Sequence, residues 1–255
     1  MSEGLERADG FERVPWRSAI TEVQQDALIT YGVNQTEIIE SFSVEEMVFL
    51  VLSGRRPNKV EADLLRAVIL AQMSHGITGQ STLAAMMAAD CRSSFLHALI
   101  ACFSVGSGVF HQGGLQAAME EMQRLEPLDE AGLKEEIGRR LAKRQRIIGF
   151  GHRFHRRDPR AETLFALVDK HNFAGRYVPL ARSIAAILGE EKGIALNIEG
   201  AIAAILLDLG IPADVAHLIV VLGRSPMLAA VYLERLRQRP DPFPKIEVAD
   251  LLPHT

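Results

Sequence analysis

From Ser43 onward, apolar positions along the chain recur at three- and four-residue spacing, the period of an amphipathic helix. Ser43-Val-Glu-Glu46 is a capping box, Met47, Phe49, Leu50 and Leu52 follow as apolar faces, and Gly54 with Pro57 forms a stop. Asn58-Lys-Val-Glu61 then caps a second helix, whose stripe of Leu64, Leu65, Val68 and Ile69 runs toward Ser74, His75 and Gly76. Further helical stretches follow with breaks expected at 76–79, 91–94, 106–108, 127–128, 149–151, 175–179, 189–193, 210–212 and 224–226. Strand-like alternation is nearly absent, so the pattern predicts an all-α fold of closely packed, alanine-rich helices. Residues 1–15 carry no period and read as an N-terminal arm. The prolines at 240, 242, 244 and 253 hold the tail beyond Arg239 out of helix.

Composition changes this picture little. With 255 residues, 48% hydrophobic and 24% charged, the chain has the make-up of an ordinary globular protein. A net charge of −4 argues against a general nucleic-acid binder and leaves any anionic partner to a local basic cluster. Such a cluster runs from Lys134 to Arg160. The polar start and the lack of an apolar stretch of about 18 residues point to a soluble protein without a membrane partner. Cys91 and Cys102, both in apolar helical stretches, are expected as reduced, buried thiols of a cytoplasmic protein. No metal is expected, because the histidines lack ligand spacing.

Candidate chemistry concentrates in Gly149-Phe-Gly-His-Arg-Phe-His-Arg-Arg-Asp-Pro-Arg160. Gly149 and Gly151 permit close backbone approach to a ligand, and the arginines that follow offer forked donors for carboxylate or phosphate. Asp158 as N-cap with Pro159 at the first helical position sets Arg160 at a helix N-terminus, where anions are favoured. Taken alone, such a segment reads equally well as a solvated basic loop.

The order Gly-Phe-Gly-His followed by Asp-Pro-Arg resembles the citrate synthase superfamily. The resemblance implies that His152 polarises a keto or hydroxyl oxygen and that Arg160 grips a substrate carboxylate. Gly149, Gly151, Arg153, Arg156 and Arg157 are by the same resemblance the coenzyme A contacts. Other segments resemble the family in matching order. Ser74-His75-Gly76 with Ser81-Thr82 implies that His75 lies in the acid-substrate pocket, with Ser74 where aspartate is usual. His111-Gln112-Gly113-Gly114 resembles the His-Gly-Gly whose histidine, His111 here, holds the thioester oxygen as an enol forms. Asn197-Ile198-Glu199 resembles Asn-Val-Asp, whose carboxylate moves the carbon-bound proton. Glu199 is one methylene longer, a reach of about 1.5 Å, where a misplacement of about 1 Å can cost on the order of 10²-fold in rate. Leu222-Gly-Arg-Ser225 implies a second carboxylate grip in Arg224, and Arg239-Pro240 resembles the C-terminal Arg-Pro of citrate synthases.

The chain is most similar to the short citryl-CoA lyase type, including Trp16-Arg-Ser-Ala-Ile-Thr near its start. The resemblance implies a large helical domain from residues 16–114 and 196–255, a small one from 115–195 carrying the coenzyme A loop, and a homodimer or higher homo-oligomer. Three activities follow from it: cleavage of citryl-CoA to acetyl-CoA and oxaloacetate, the reverse condensation by a citrate or methylcitrate synthase, and a catalytically weak coenzyme A and citrate binder. Coenzyme A enters as a thioester substrate, and no tightly bound cofactor is expected.

Overall fold

The computed structural model describes residues 18–74, 76–108, 111, 113–151 and 157–238. They form two compact units that meet in sequence at Arg56 and Pro57. The first unit corrects the expectation of almost no strands. It carries a three-stranded antiparallel sheet in the order β1 (Thr21–Val23), β2 (Leu28–Thr30), β3 (Val33–Asn34). Thr21 pairs with Thr30, and Ile29 with Asn34. Strands of two or three residues are too short to display a two-residue alternation, which is why the pattern missed them. Tyr31 and Gly32, both at positive φ, turn β2 into β3. Then come α1 (Gln35–Ser41) and α2 (Val44–Ser53), the latter with the expected capping box at Ser43 and a left-handed Gly54 at its end.

The second unit is all helix among its described residues: α3 (Lys59–Met73), α4 (Gln80–Asp90), α5 (Phe95–Gly106), α6 (Gly114–Leu125), α7 (Glu130–Ala142), α8 (Pro159–Lys170), α9 (Tyr177–Lys192), α10 (Ile198–Asp208) and α11 (Ala216–Gln238), with a 3-10 turn at Ala213–Val215. The all-α expectation is correct for the fold as a whole. Helix α10 is apolar all round, with Gly200 through Leu207 buried, and is the central helix, contacted by α3, α6, α8 and α9. Asp208 at its C-terminus accepts hydrogen bonds from the backbone N–H groups of Arg176, Tyr177 and Val178 at 2.7–2.9 Å and so caps the start of α9. A second core joins Leu125, Leu133, Ile137, Ile184 and Leu188 from α6, α7 and α9 with Ile147 from the segment that follows α7.

Three sequence expectations need correction here. The break expected at 224–226 does not occur, and α11 runs through Pro226. Burial on both sides of the proline, by Ile219 and Val220 before it and Leu228 and Val231 after it, outweighs one lost backbone hydrogen bond. Cys91 is exposed at the end of α4, whereas Cys102 is buried, where loss of solvent pushes its thiol up to about 11. The helical run Ala213–Gln238 is long and apolar enough, by length and composition, to cross a membrane. In this fold it lies against α3, α4, α5 and α6, and its end is pinned by a two-pronged Arg235–Asp90 ion pair and by Tyr232 donating to the Ser93 carbonyl.

Candidate active site

The N-termini of α4, α6, α8 and α10 and the middle of α11 supply the candidate groups. Asp158 is 1% exposed and performs three tasks. It caps α8 by accepting from Arg160 N, it accepts from Arg160 Nε and Nη2 at 3.0 and 2.8 Å, and it accepts from Ile198 N at 3.3 Å. One carboxylate thereby ties the start of α8 to the start of α10 and fixes the direction of the Arg160 guanidinium.

The glycine segment is seated against α10 as well. Gly151 N donates to the Ala195 carbonyl, Asn197 N donates to the Gly149 carbonyl, and Asn197 Nδ2 donates to the Gly151 carbonyl. Gly149 and Gly151 both have positive φ. A Cβ on Gly200 would stand 2.2 Å from the Gly149 oxygen, so the close approach that Gly149 makes is to the first turn of α10. Around Gly151 an added Cβ would meet only Ile194, at 3.7 Å.

Glu199 projects from that first turn. Its carboxylate lies against the Cα of Gly114, the first residue of α6. Burial raises its pKa to about 7, against the opposing pull of Arg224 and Arg160. Arg224, 8% exposed, is placed by Gly223, where a Cβ would come within 2.5 Å of Gln72 Cβ and 2.8 Å of the Ile69 carbonyl, so α11 rides tightly on α3. Burial, and then Arg160, bring the Arg224 guanidinium down to about 10, while Glu199 acts in the other direction. Arg224 Nε and Nη1 are buried without a hydrogen-bond partner. A buried guanidinium with open donors is costly unless an anion completes it, and a carboxylate matches its fork.

His111 sits on the turn between α5 and α6, where its N–H donates to the Gly108 carbonyl. Gly113 makes the turn possible, since a Cβ there would strike the Ser107 carbonyl at 2.4 Å. The ring Nε2 shares a 2.9 Å hydrogen bond with Oγ of buried Ser81 at the start of α4. His111 and Glu199 thus flank the first turn of α6, one by chain adjacency and one by contact.

Of the residues expected from the sequence, Glu199, Arg160 and Arg224 are brought together electrostatically, and His111 joins the same helix end. Arg157 stands apart, 82% exposed on its side chain and 3.9 Å from Glu162. It lines a groove of about 440 Å³ between α8 and α9. His75, His152, Arg153, Arg156 and Arg239 lie outside the described residues. The basic cluster is divided by the fold: Arg139 and Arg140 pair with Glu136, and Arg140 also with Glu121. The Arg139 and Arg140 hydrogen bonds hold the Glu136 carboxyl down to about 2. Lys143, Arg144 and Arg146 remain exposed. Sequence reading missed the link from Asp158 to α10, which has no local signal, and the crossing of Gly149 with Gly200, whose local signal was the glycines themselves. Among the described residues no group of three or more His, Cys, Asp or Glu could hold a metal ion.

Comparison with known proteins identifies the family and the fold. Residues 35–241 match the family model for the citrate synthase C-terminal domain. The chain is 29% identical over 210 residues to the citrate synthase of Haloferax volcanii, which covers 80% of this chain and 54% of that protein. It spans about half the length of the curated relatives it matches. Among solved structures, citryl-CoA lyase from Hydrogenobacter thermophilus is similar with a TM-score of 0.84 and 25% identity over 95% of each chain. ATP citrate lyase from Methanothrix soehngenii, in complex with citrate and coenzyme A, shares the fold with a TM-score of 0.82 and 18% identity over 96% of this chain and 42% of that one.

Proposed function

Since the chain belongs to the citrate synthase family, we propose that it is a Claisen-type carbon–carbon lyase that cleaves citryl-CoA, or a related 3-hydroxy-3-carboxyacyl-CoA, to acetyl-CoA and oxaloacetate. The observation that carries this reading is the cluster of Glu199, Arg160 and Arg224, in which Arg224 is buried and the other two are partly buried. It combines a carboxyl titrating near neutrality with two guanidiniums, one of which has open, buried donors. The near end-to-end likeness to a citryl-CoA lyase supports the direction.

In the proposed reaction Arg160 and Arg224 bind the two carboxylates of the departing oxo acid. His152, with His75, takes the proton of the tertiary hydroxyl as that oxygen becomes the keto group. The carbon–carbon bond breaks, and its electron pair passes into the thioester as an enolate whose oxygen His111 holds by hydrogen bond. Protonated Glu199 then delivers its proton to carbon, giving the methyl group of acetyl-CoA. Gly149, Gly151, Arg153, Arg156 and Arg157 are assigned to coenzyme A, and Arg239 to the acid substrate. Residues 115–195 would close over the site and exclude water. We place the protein in the cytoplasm as a homodimer, without a tightly bound cofactor; the exposed apolar residues Leu83, Met87, Leu96 and Ile100 on α4 and α5 offer a face for the second copy.

The condensing direction is the second reading, favoured by the curated citrate synthase relatives. A coupled assay of oxaloacetate release from citryl-CoA, run beside condensation of acetyl-CoA with oxaloacetate, separates the two. Fast cleavage with slow condensation, abolished by Glu199→Gln, is the expected result. Coenzyme A binding without turnover in either direction would overturn both readings and leave the catalytically weak binder.

A further inference from the structure

We propose that Gly114 is a positioning residue: its missing side chain makes the room that the longer carboxylate of Glu199 needs, so the two form a size-matched pair. The inference deepens the reading of Glu199 as the proton-transfer group and rests on it for its catalytic consequence.

Gly114 opens α6 with an ordinary helical backbone and is absent from the glycines at positive φ. Alanine is the better helix former, so the backbone sets no requirement for glycine at this position. The demand comes from across the site. A Cβ on Gly114 would stand 2.7 Å from Glu199 Oε2 and 3.1 Å from both Cδ and Oε1. All three nearest atoms belong to one carboxylate. The neighbouring glycines differ: a Cβ on Gly113 would strike the Ser107 carbonyl, and one on Gly200 the Gly149 carbonyl. Those two glycines permit a chain path, whereas Gly114 admits a side chain. The carboxylate consequently rests on the first turn of α6, three residues beyond His111, which is where an enolate held by His111 would need its proton. The extra methylene of Glu199 carries the carboxylate about one carbon–carbon bond further than aspartate would, and the bare Cα of Gly114 accepts it.

The atom that must yield to a Gly114 side chain is the flexible end of Glu199, so Gly114→Ala is expected to fold with an unchanged circular dichroism spectrum while moving the carboxylate. A displacement of about 1 Å predicts a fall in kcat for citryl-CoA cleavage on the order of 10- to 100-fold. KM should change little, because Arg160 and Arg224 are untouched. Glu199→Asp alone should also lose kcat, through a carboxylate withdrawn by one bond. The double variant Gly114→Ala/Glu199→Asp should recover at least tenfold over Gly114→Ala, a rescue that a merely structural role of Gly114 does not give. Wild-type kcat in Gly114→Ala, or a double variant no better than that single, overturns the pairing.

A second arm needs no turnover. In protein labelled with 13C at the glutamate side-chain carboxyl, the Glu199 signal is identified by its loss in Glu199→Gln, and its chemical shift and titration midpoint should both move in Gly114→Ala. If they stay in place, the pairing is overturned whatever the kinetics show. If they move while the wild type turns over in neither direction, the pairing stands and the lyase reading fails.

Discussion

Glu199 is held between opposing influences: burial favours its neutral acid, and Arg224 and Arg160 favour its carboxylate. In the proposed reaction cleavage uses the acid as proton donor, so its kcat/KM should fall as pH rises through about 7. Condensation uses the carboxylate and should rise through the same midpoint; pH–rate profiles in both directions check the pair. The same shift affects stability. Below the unfolded-state value near 4.5 the acid is neutral in both states, and stability is then lost as pH rises toward about 7. The displacement corresponds to about 3 kcal/mol. Glu199→Gln should therefore be more stable than wild type at pH 8, with the gap shrinking toward pH 5, as measured by urea unfolding. Arg224 should show an exchange of stability for function. Arg224→Met removes a buried guanidinium with two unpaired nitrogens and should leave unfolding free energy equal or higher, while KM for the substrate rises on the order of 10²-fold.

At the scale of elements, the site depends on helix ends being tied to one another. Gly200→Ala would thrust a Cβ to 2.2 Å from the Gly149 oxygen, and backbone cannot give way as a side-chain tip can. A loss of about 1–3 kcal/mol is expected, with increased hydrogen exchange at Gly151 and Asn197, whose N–H groups hold the segment to α10. The capping boxes at Ser43 and Asn58 and the Asp158-Pro159 start were legible because a cap is an interaction within three or four consecutive residues. The continuity of α11 through Pro226 was not, since residues far along the chain bury both of its halves. Nor was the exposure of Cys91, which depends on what happens to cover the end of α4. The basic stretch from Lys134 misled for the same reason: charge density is visible in sequence, but whether Glu121 stands opposite Arg140 is settled by how α6 meets α7.

Across the whole molecule, the apolar face on α4 and α5 gives the proposed homodimer its test. Wild type is expected to sediment as a dimer, and Leu96→Asp/Ile100→Asp as a folded monomer; a wild-type monomer at micromolar concentration would reject that assembly. The sequence by itself determined the all-helical class, most helix boundaries, and the residue types and order that mark the family, because these are carried by local spacing and short motifs. Only the tertiary structure decided that Glu199 is desolvated to near-neutral titration, that Arg224 keeps unpaired buried donors, and that Gly114 lies under a carboxylate. Desolvation and close approach are properties of chain segments far apart in sequence, and they come into being only when the helix ends converge.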